Sequence, residues 1–266
     1  MTTDGADFSL AGKTIVVTGG GGLLGSEMVH ALAAAGAHAV ALDLKFDEAV
    51  FASRPATAGA ITKLHADITD PTSVAAARNE IERTCGLVTG LVNNAAAKSK
   101  NFFEPFETFP IEDWNAVMGV NVTGAMVCSQ VFGSAMAERG TGAIVNILSI
   151  YGIVAPDQRI YEGSSYLGRP INTPAVYSAS KAALWGMTKY LAAYWGDKKI
   201  RVNAISPGGV FSGQNDTFST AYSKRVPLGR MADRTEMSGA LIFLLSDASS
   251  YVTGQNLMVD GGLSVW

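Results

Sequence analysis

The sequence contains few of the residues that build disulfide frameworks and metal centres. Only two cysteines and three histidines occur in its 266 residues. Cys85 and Cys128 lie in apolar helical patterns without a CxxC spacing, which predicts reduced thiols that act as small core residues. The three histidines, His30, His38 and His65, form no ligand cluster. We therefore expect neither a disulfide bridge nor a bound metal.

Charged residues are scarce as well, and the signals of nucleic-acid and membrane proteins are missing. Charged residues make up 16% of the chain, the net charge is −3, and Lys and Arg are scattered. A nucleic-acid partner is therefore not expected. The segment from Met1 to Ser9 lacks the apolar run of a signal peptide, and no stretch approaches the roughly 20 apolar residues of a membrane span. These absences predict a cytoplasmic protein without a membrane partner.

Apolar residues are abundant, at 48% of the chain, and their pattern alternates between two periods. Short β-branched runs predict strands at Lys13–Thr18, Ala37–Asp43, Ile61–His65, Gly90–Asn93, Ala143–Ser149, Arg201–Ser206 and Asn256–Val259. Stretches of helical period predict helices at Leu24–Ala35, Pro71–Cys85, Ile111–Arg139, Ala175–Tyr194 and Arg234–Leu245. The alternation predicts a single domain over residues 1–266 with an α/β fold. We expect a Rossmann-type, doubly wound, mainly parallel sheet of about seven strands with helices on both faces.

Two segments interrupt this alternation. The connection over residues 150–174 has no clear periodicity and is far longer than an ordinary loop of about 4 to 6 residues. Residues 207–227 are rich in Gly, Ser and Thr and carry the aromatic residues Phe211, Phe218 and Tyr222. We predict a substrate insertion at 150–174 and a lid at 207–227.

A glycine-rich turn follows the first predicted strand. The sequence Thr18-Gly19-Gly20-Gly21-Gly22-Leu23-Leu24-Gly25 contains GxGxxG and opens a predicted helix. Glycines allow the backbone to approach a pyrophosphate, and the helix N-terminus directs free N–H groups at it. The alternative is a tight turn without a ligand, but the strand before it and the helix after it favour a dinucleotide site.

Asp43 ends the second predicted strand, 18 residues after Gly25. A carboxylate at this place can accept hydrogen bonds from both ribose hydroxyls and repels a 2′-phosphate. The sequence therefore predicts NAD rather than NADP as the cofactor, although Lys45 can weaken this preference.

Tyr177 and Lys181 form a Tyr-x-x-x-Lys pattern on a predicted helix. The i, i+4 spacing places both side chains on one helix face, so the ammonium can lower the phenol pKa from its usual value of about 10. A tyrosine tuned in this way can act as a general acid or base near neutral pH. A surface pair without a catalytic role is the alternative.

The sequence Tyr177-Ser178-Ala179-Ser180-Lys181 resembles the YxxxK motif of the short-chain dehydrogenases/reductases, and the resemblance extends from Lys13 to Gly262. Ser149 matches the family's catalytic serine, which orients the substrate oxygen, and Asn121 matches the asparagine that supports a proton relay from the lysine. The resemblance implies the catalytic set Asn121, Ser149, Tyr177 and Lys181.

The same resemblance implies the positions that bind cofactor and substrate. Asp67 resembles the acid beside the adenine, and Pro207-Gly208 with Val210 resembles the segment that holds the nicotinamide carboxamide. The expected NAD-binding residues are Gly19, Gly22, Leu23, Leu24, Gly25, Asp43, Leu44, Asp67, Ile68, Asn94, Ala95, Ala96, Tyr177, Lys181, Pro207, Gly208 and Val210. The expected substrate-binding residues are Ser149, Tyr151, Arg159, Arg169 and Gly209. A homo-oligomer, a dimer or tetramer, is implied by the resemblance alone.

The sequence departs from the family pattern at several places. Leu23 stands where short members have a glycine, and Ala96 ends the turn that resembles the family's NNAG. The glycine spacing resembles the sugar-nucleotide branch, so a nucleotide-sugar epimerase or dehydratase is one alternative, and a non-catalytic NAD-binding regulator is another. Only 85 residues follow Lys181, which leaves little room for a separate substrate domain. We therefore expect an NAD-dependent oxidoreductase that interconverts a secondary alcohol and a ketone of a small molecule.

The insertion between Ser149 and Tyr177 bears on the substrate. The whole connection from Ser149 to Tyr177 has 27 intervening residues, more than the family usually has, and both of its ends lie at catalytic residues. Its polar side chains favour a sugar-like or hydroxy-acid substrate, and Arg159 or Arg169 can bind a carboxylate or phosphate with two donors. A subunit contact or a solvated loop is the alternative.

Overall fold

A central sheet carries the fold. The computed structural model describes residues 7–47, 58–166 and 168–266. Its strands are β1 (Thr14–Thr18), β2 (His38–Asp43), β3 (Ile61–His65), β4 (Val88–Asn93), β5 (Gly142–Ile147), β6 (Ser165–Tyr166), β7 (Arg169–Pro170), β8 (Ile200–Pro207) and β9 (Asn256–Val259). Seven of them form one sheet in the order β3-β2-β1-β4-β5-β8-β9, and every neighbouring pair is parallel. The predicted sheet is confirmed, with each strand end within two residues of its predicted position.

The strand order reverses beside β1. The chain moves outward through β2 and β3, then returns to place β4 on the other side of β1. At such a switch point the crossover connections leave in opposite directions, so a crevice opens at the carboxyl ends of the strands. The ends of β1 and β4 therefore define where a dinucleotide can bind.

The long helices follow the prediction closely. In chain order the α-helices are α1 (Leu23–Ala34), α2 (Pro71–Thr84), α3 (Ile111–Arg139), α4 (Ala175–Tyr194), the unpredicted α5 (Asp216–Ser223) and α6 (Ser238–Leu245). Local signals set their ends: Asp70 caps α2 by accepting a hydrogen bond from the Thr72 N–H at 2.9 Å, and Pro71 occupies the first turn. The predicted helix Arg234–Leu245 is a 3₁₀ turn over Arg234–Met237 followed by α6.

Helices cover both faces of the sheet. Successive side chains of a strand point to opposite faces. Ile15 and Val17 of β1 pack in one buried cluster with residues of α1 and α6, whereas Val16 packs in a second cluster with residues of α2 and α3. The doubly wound α/β architecture is thereby confirmed.

Helix α3 is continuous but not uniform. Two of its stretches are π-helical, Gly119–Gly124 and Ser129–Gly133. Contrary to expectation, α3 is long and apolar enough to cross a membrane by length and composition. Half of its apolar window is buried inside the fold, and Phe132 packs in the cluster beneath the sheet, which is typical of a core helix.

The insertion and the predicted lid pack against each other. The insertion, residues 150–174, contains two 3₁₀ turns and the short antiparallel hairpin β6-β7. The lid contains α5, which was not predicted although Asn215 caps it by accepting from the Phe218 N–H at 2.9 Å. The rings of Tyr161 and Phe218 stack at 5.3 Å between centroids. A buried cluster joins the two segments and contains Ile150, Ile160, Phe218, Tyr222, Val226, Met231 and Leu263.

Candidate active site

The glycine-rich turn joins β1 to α1 and has no room for side chains. A Cβ on Gly25 would lie 2.0 Å from the carbonyl oxygen of Gly19, and Gly19 itself has a φ of +64°. Gly22 is the residue before α1, and no side chain caps this helix. The N–H groups of the first helical turn are therefore available to an anion, which is what a dinucleotide pyrophosphate requires.

Thr18 locks the turn to the neighbouring strand end. Its hydroxyl accepts hydrogen bonds from the N–H groups of Asn94 and Ala95, each at 3.1 Å. The Asn94 side chain donates in turn to the carbonyl oxygens of Thr18 at 3.0 Å and Gly19 at 3.2 Å. Thr18 was not among the expected site residues, although it directly precedes the glycines.

A groove of about 620 Å³ runs along this turn. Of the expected cofactor residues it is lined by Gly19, Gly22, Leu23, Leu24, Gly25, Asp43, Leu44, Asp67, Ile68, Asn94, Ala95 and Ala96. Residues that line it without having been expected are Leu42, Ala66, Thr69, Ala97, Lys98 and Val120. Pro207, Val210 and Lys181 do not line it, and Tyr177 and Gly208 line the adjoining cavity instead.

Two carboxylates border the groove and are held by the backbone. Asp43 accepts from the Gly21 N–H at 2.9 Å and from the Leu44 N–H at 2.7 Å, so it fixes the loop as well as presenting a charge. Asp67 accepts from the hydroxyl of Thr69 at 2.7 Å and from its N–H at 2.8 Å. These hydrogen bonds hold the pKa of Asp67 below its usual value.

The predicted catalytic residues meet where β5 ends beside α4. Tyr177 and Lys181 lie one turn apart on α4, and Ser149 follows β5. Tyr177 and Ser149 line a cavity of about 330 Å³ that shares three residues with the cofactor groove, Ala96, Ala97 and Lys98. A reacting carbon placed beside the Tyr177 hydroxyl is therefore next to the end of the groove.

The pKa of Tyr177 is raised in the structure, whereas the sequence predicted that Lys181 lowers it. Burial raises the pKa of Tyr177, and a hydrogen bond with Ser149 opposes that rise. The ammonium of Lys181 donates to the carbonyl oxygen of Ile147 at 2.8 Å and lies 5.9 Å from the Tyr177 ring centroid. Burial lowers the pKa of Lys181 to about 8. The prediction of a lowered phenol pKa was wrong, because desolvation outweighs the distant ammonium.

Asn121 is buried in the first π-helical stretch of α3. Its side-chain oxygen accepts from the Ala97 N–H at 2.9 Å, and its amide donates to the Ser180 hydroxyl at 3.0 Å. Ser180 donates in turn to the carbonyl oxygen of Tyr177 at 2.8 Å. The side chain of Asn121 therefore ties the loop after β4 to the catalytic turn of α4, and its expected place in a proton relay stays a prediction.

Aromatic side chains form a large part of the cavity wall. The rings are those of Phe102, Phe103, Tyr151, Tyr161, Tyr177, Phe218 and Tyr222, of which only Tyr151 and Tyr177 were expected site residues. Phe102 and Phe103 follow the turn after β4, while the others come from the insertion, α4 and the lid. Polar groups in the wall are therefore mainly hydroxyls, not the charged side chains of the insertion.

The five expected substrate residues divide into two sets. Ser149, Tyr151 and Gly209 line the cavity, whereas Arg159 and Arg169 do not. Arg159 is 83% exposed and forms a two-pronged ion pair with Asp157 at 2.8 Å, outside the cavity lining, and its expected contact with a substrate stays a prediction. Arg169 lines a second groove of about 820 Å³, which shares Lys98, Phe102 and Phe103 with the cavity.

A dinucleotide groove that opens onto a cavity with a tyrosine and a serine is the site of an oxidoreductase with a nicotinamide cofactor. Comparisons of this chain with known proteins indicate the same class. The family model described as "Enoyl-(Acyl carrier protein) reductase" matches residues 22–264. The galactitol 2-dehydrogenase (L-tagatose-forming) of Cereibacter sphaeroides is 36% identical, and the match covers 97% of this chain and 98% of that one.

Solved structures give the same answer. A short-chain dehydrogenase of Leptospira borgpetersenii with bound NAD+ superposes with a TM-score of 0.85 at 35% identity, covering 96% of this chain and 94% of that chain. A gluconate 5-dehydrogenase of Burkholderia cenocepacia, solved with NADP and tartrate, gives 0.83 at 32% identity and covers 98% of each chain. This chain belongs to the short-chain dehydrogenase/reductase family and is an NAD(P)-dependent oxidoreductase that acts on CH–OH groups.

Proposed function

We propose that the protein oxidises a secondary hydroxyl of a polyol, sugar or sugar acid with NAD, and reduces the corresponding ketone in the reverse direction. The observation that carries this proposal is the cavity beside Tyr177 and Ser149, whose lining combines aromatic rings with polar side chains such as Lys98, Thr173 and Gln214. A wall of this kind offers hydrogen bonds to several substrate oxygens. The similarity to galactitol 2-dehydrogenase and gluconate 5-dehydrogenase supports the same substrate class.

Each catalytic side chain has one task in this proposal. Ser149 binds the substrate oxygen that reacts, and Tyr177 takes the proton of that hydroxyl. A nicotinamide held in the groove would supply the acceptor for the hydride on the carbon that bears this hydroxyl, and the hydroxyl proton leaves to solvent through Tyr177. Lys181 places its ammonium 5.9 Å from the centroid of the Tyr177 ring, and Asn121 positions the catalytic turn of α4 through Ser180.

We assign NAD rather than NADP because of Asp43. Its carboxylate borders the groove and is kept in place by the N–H groups of Gly21 and Leu44. A fixed negative charge there repels the 2′-phosphate of NADP. The remaining cofactor contacts, at Pro207, Gly208 and Val210 for the carboxamide, belong to the same proposal. So does a homo-oligomer, which rests on family membership alone.

The test is NADH formation with a panel of substrates. We expect turnover with galactitol, gluconate or a related polyol or sugar acid, and slower turnover with simple secondary alcohols. A melting screen serves as the control for cofactor choice, because a ligand at 100 times its dissociation constant adds about 2.7 kcal/mol of stability. Stabilisation by NAD without turnover of any polyol, sugar or sugar acid would contradict the proposal and favour the non-catalytic regulator.

A further inference from the structure

Lys98 is the one charged side chain in the lining of the catalytic cavity, among the residues that the structure describes. It is exposed, so a ligand can reach it. The other polar side chains of that lining carry hydroxyl groups or, at Gln214, an amide. A single charge in such a wall distinguishes anions from neutral molecules, because charges interact several times more strongly beside a protein surface than in bulk water.

Lys98 lies where three spaces meet. It lines the catalytic cavity, the cofactor groove and the second groove of about 820 Å³. Its ammonium lies 5.8 Å from the centroid of the Phe103 ring. The Phe102 ring links Phe103 to Tyr177, with centroid distances of 5.4 Å and 6.4 Å. A substrate that reacts at Tyr177 and extends past Phe102 therefore comes to the Lys98 side chain.

The second groove is cationic although the whole chain is acidic. Its charged lining residues are Lys98, Lys100, Arg169 and Glu104, which carry three positive charges and one negative charge, whereas the chain has a net charge of −3. A cleft lined by charges of one sign raises the local concentration of ligands of the opposite sign. The side of the cavity beside Lys98 therefore suits an anion better than a neutral molecule or a cation.

The phosphates of the cofactor are the other anions to consider. Their expected site is the turn before α1, where the N–H groups of the first helical turn are available. Gly22 and Gly25 of this turn line the cofactor groove but not the cavity, whereas Lys98 lines both. The position of Lys98 therefore favours the substrate over the cofactor as its partner.

We propose that Lys98 binds a carboxylate of the substrate while Ser149 and Tyr177 hold the hydroxyl that reacts. An ammonium has three N–H donors, and a carboxylate matches both its donors and its charge. This inference rests on the proposed function and narrows it from polyols, sugars and sugar acids to sugar acids. Lys98 is then the residue that selects an acid over the neutral polyol with the same carbon chain.

The experiment compares gluconate with glucitol, which have the same carbon chain and differ at one end, a carboxylate in the first and an alcohol in the second. We expect the wild type to prefer gluconate. Lys98→Met keeps most of the side-chain length and removes the charge, so the ratio of kcat/KM for gluconate to that for glucitol should fall by about five- to tenfold. Lys98→Arg keeps the charge and should restore most of the ratio. If another acid is the best substrate of the panel, that acid and its polyol replace this pair.

Lys100→Met is the matched control. Lys100 lies two residues from Lys98 and lines the second groove, but it does not line the cavity. The variant removes the same charge from the same loop, so it reports any general effect of net charge on anionic substrates. We expect it to change the ratio for gluconate and glucitol by less than about twofold, since an exposed charge without a direct partner contributes little.

Ionic strength gives a second readout that separates charge from packing. Salt screens exposed charges, so the KM of the wild type for gluconate should rise with salt while its KM for glucitol stays constant. In Lys98→Met the KM for gluconate should depend less on salt. A purely structural contact of the Lys98 stem with Phe103 would give no difference in salt dependence between the two substrates.

The outcomes distinguish the inference from the proposed function. Equal losses on both substrates in Lys98→Met overturn the inference in favour of a structural role, and a raised KM for NAD with an unchanged ratio overturns it in favour of a cofactor contact. An unchanged ratio with an unchanged KM for NAD overturns it as well, and activity of the wild type on polyols then leaves the proposed function intact. A wild type without activity on any polyol, sugar or sugar acid overturns the proposed function, and the inference about Lys98 with it.

Discussion

The cofactor groove and the substrate cavity are built by different means. The groove is made largely of backbone: the turn at Gly19 and Gly25 excludes side chains, and Thr18 and Asn94 hold the strand ends by hydrogen bonds to main-chain groups. The cavity is made largely of side chains, among them aromatic rings from four separate segments. A change of residue type in the groove therefore alters the shape of the backbone, whereas a change in the cavity alters one wall.

This difference predicts how the two regions tolerate substitution. A backbone site needs the same residue types whenever the same cofactor is bound, because the cofactor's phosphates approach the main chain directly. A side-chain site can exchange its rings and hydroxyls while the fold stays as it is. We expect the cofactor groove to be rigid and general, and the cavity to decide which substrate is used.

The largest expected effect separates chemistry from cofactor binding. Tyr177→Phe keeps the ring in the cavity wall and removes the hydroxyl that moves the proton. Turnover should fall at least about 100-fold, the usual range for loss of a general acid or base, while NAD binding is nearly unchanged. Steady-state NADH formation and an NAD titration measure the two quantities. A variant that retains a tenth of the wild-type turnover would show that Tyr177 is not the proton-transfer residue.

The second prediction tests the backbone character of the groove. Gly25→Ala places a methyl group 2.0 Å from the Gly19 oxygen, so the turn must move and NAD binding should be largely lost. Gly239→Ala is the control, since Gly239 lies in α6 and no atom would be within 4 Å of its Cβ. Thermal melts with and without NAD measure NAD binding by both variants. Without NAD, Gly239→Ala should be more stable than the wild type by roughly 0.4–1 kcal/mol. Normal NAD affinity in Gly25→Ala would refute the tight fit of the turn.

The third prediction separates the charge of Asp43 from its contacts. Asp43→Asn keeps an acceptor for the Gly21 N–H but removes the charge, whereas Asp43→Ala removes both. Both variants should shift the ratio of kcat/KM toward NADP, by about tenfold or more, because the repulsion of the 2′-phosphate disappears. Only the Ala variant should also lose NAD affinity strongly. A wild type that already prefers NADP would contradict the assignment.

The smallest expected effect concerns the two arginines of the insertion. Arg169 lines the groove beside the cavity and has no ion pair among the described residues, whereas Arg159 is bound by Asp157. Arg169→Ala should raise KM several-fold for an anionic substrate such as gluconate and leave galactitol unaffected, since an exposed cation contributes modestly. Arg159→Ala should change the KM neither for gluconate nor for galactitol. Equal kinetics of the wild type and the double variant on the true substrate would show that the insertion serves another purpose.

The difference between the backbone-built cofactor groove and the side-chain-built cavity explains which features the sequence could predict. The strands and the long helices follow from period, and the glycine-rich turn and Asp43 follow from the glycine motif and its spacing, because each depends on local residue type. Other groove residues, such as Asp67 and Asn94, were expected only from the resemblance to the family. The ion pair of Arg159 with Asp157, only two residues away, was not predicted, because spacing alone does not say which partner a charged side chain takes. Phe102 and Phe218 reach the cavity from positions more than 100 residues apart, and no local pattern relates them. The pKa of Tyr177 depends on burial, which spacing alone does not give.

The π-helical stretches of α3 limit how this chain can change in length. A π turn contains an extra residue compared with an α turn, so deleting one residue from Gly119–Gly124 would restore ordinary helix. The preceding part of α3 would then rotate by about 100° relative to the rest. Val117, which packs with Phe102 and Val176 at the edge of the cavity, would leave its place. A single-residue deletion here should thus be far more harmful than one in an exposed loop, and comparisons of related sequences should find α3 constant in length.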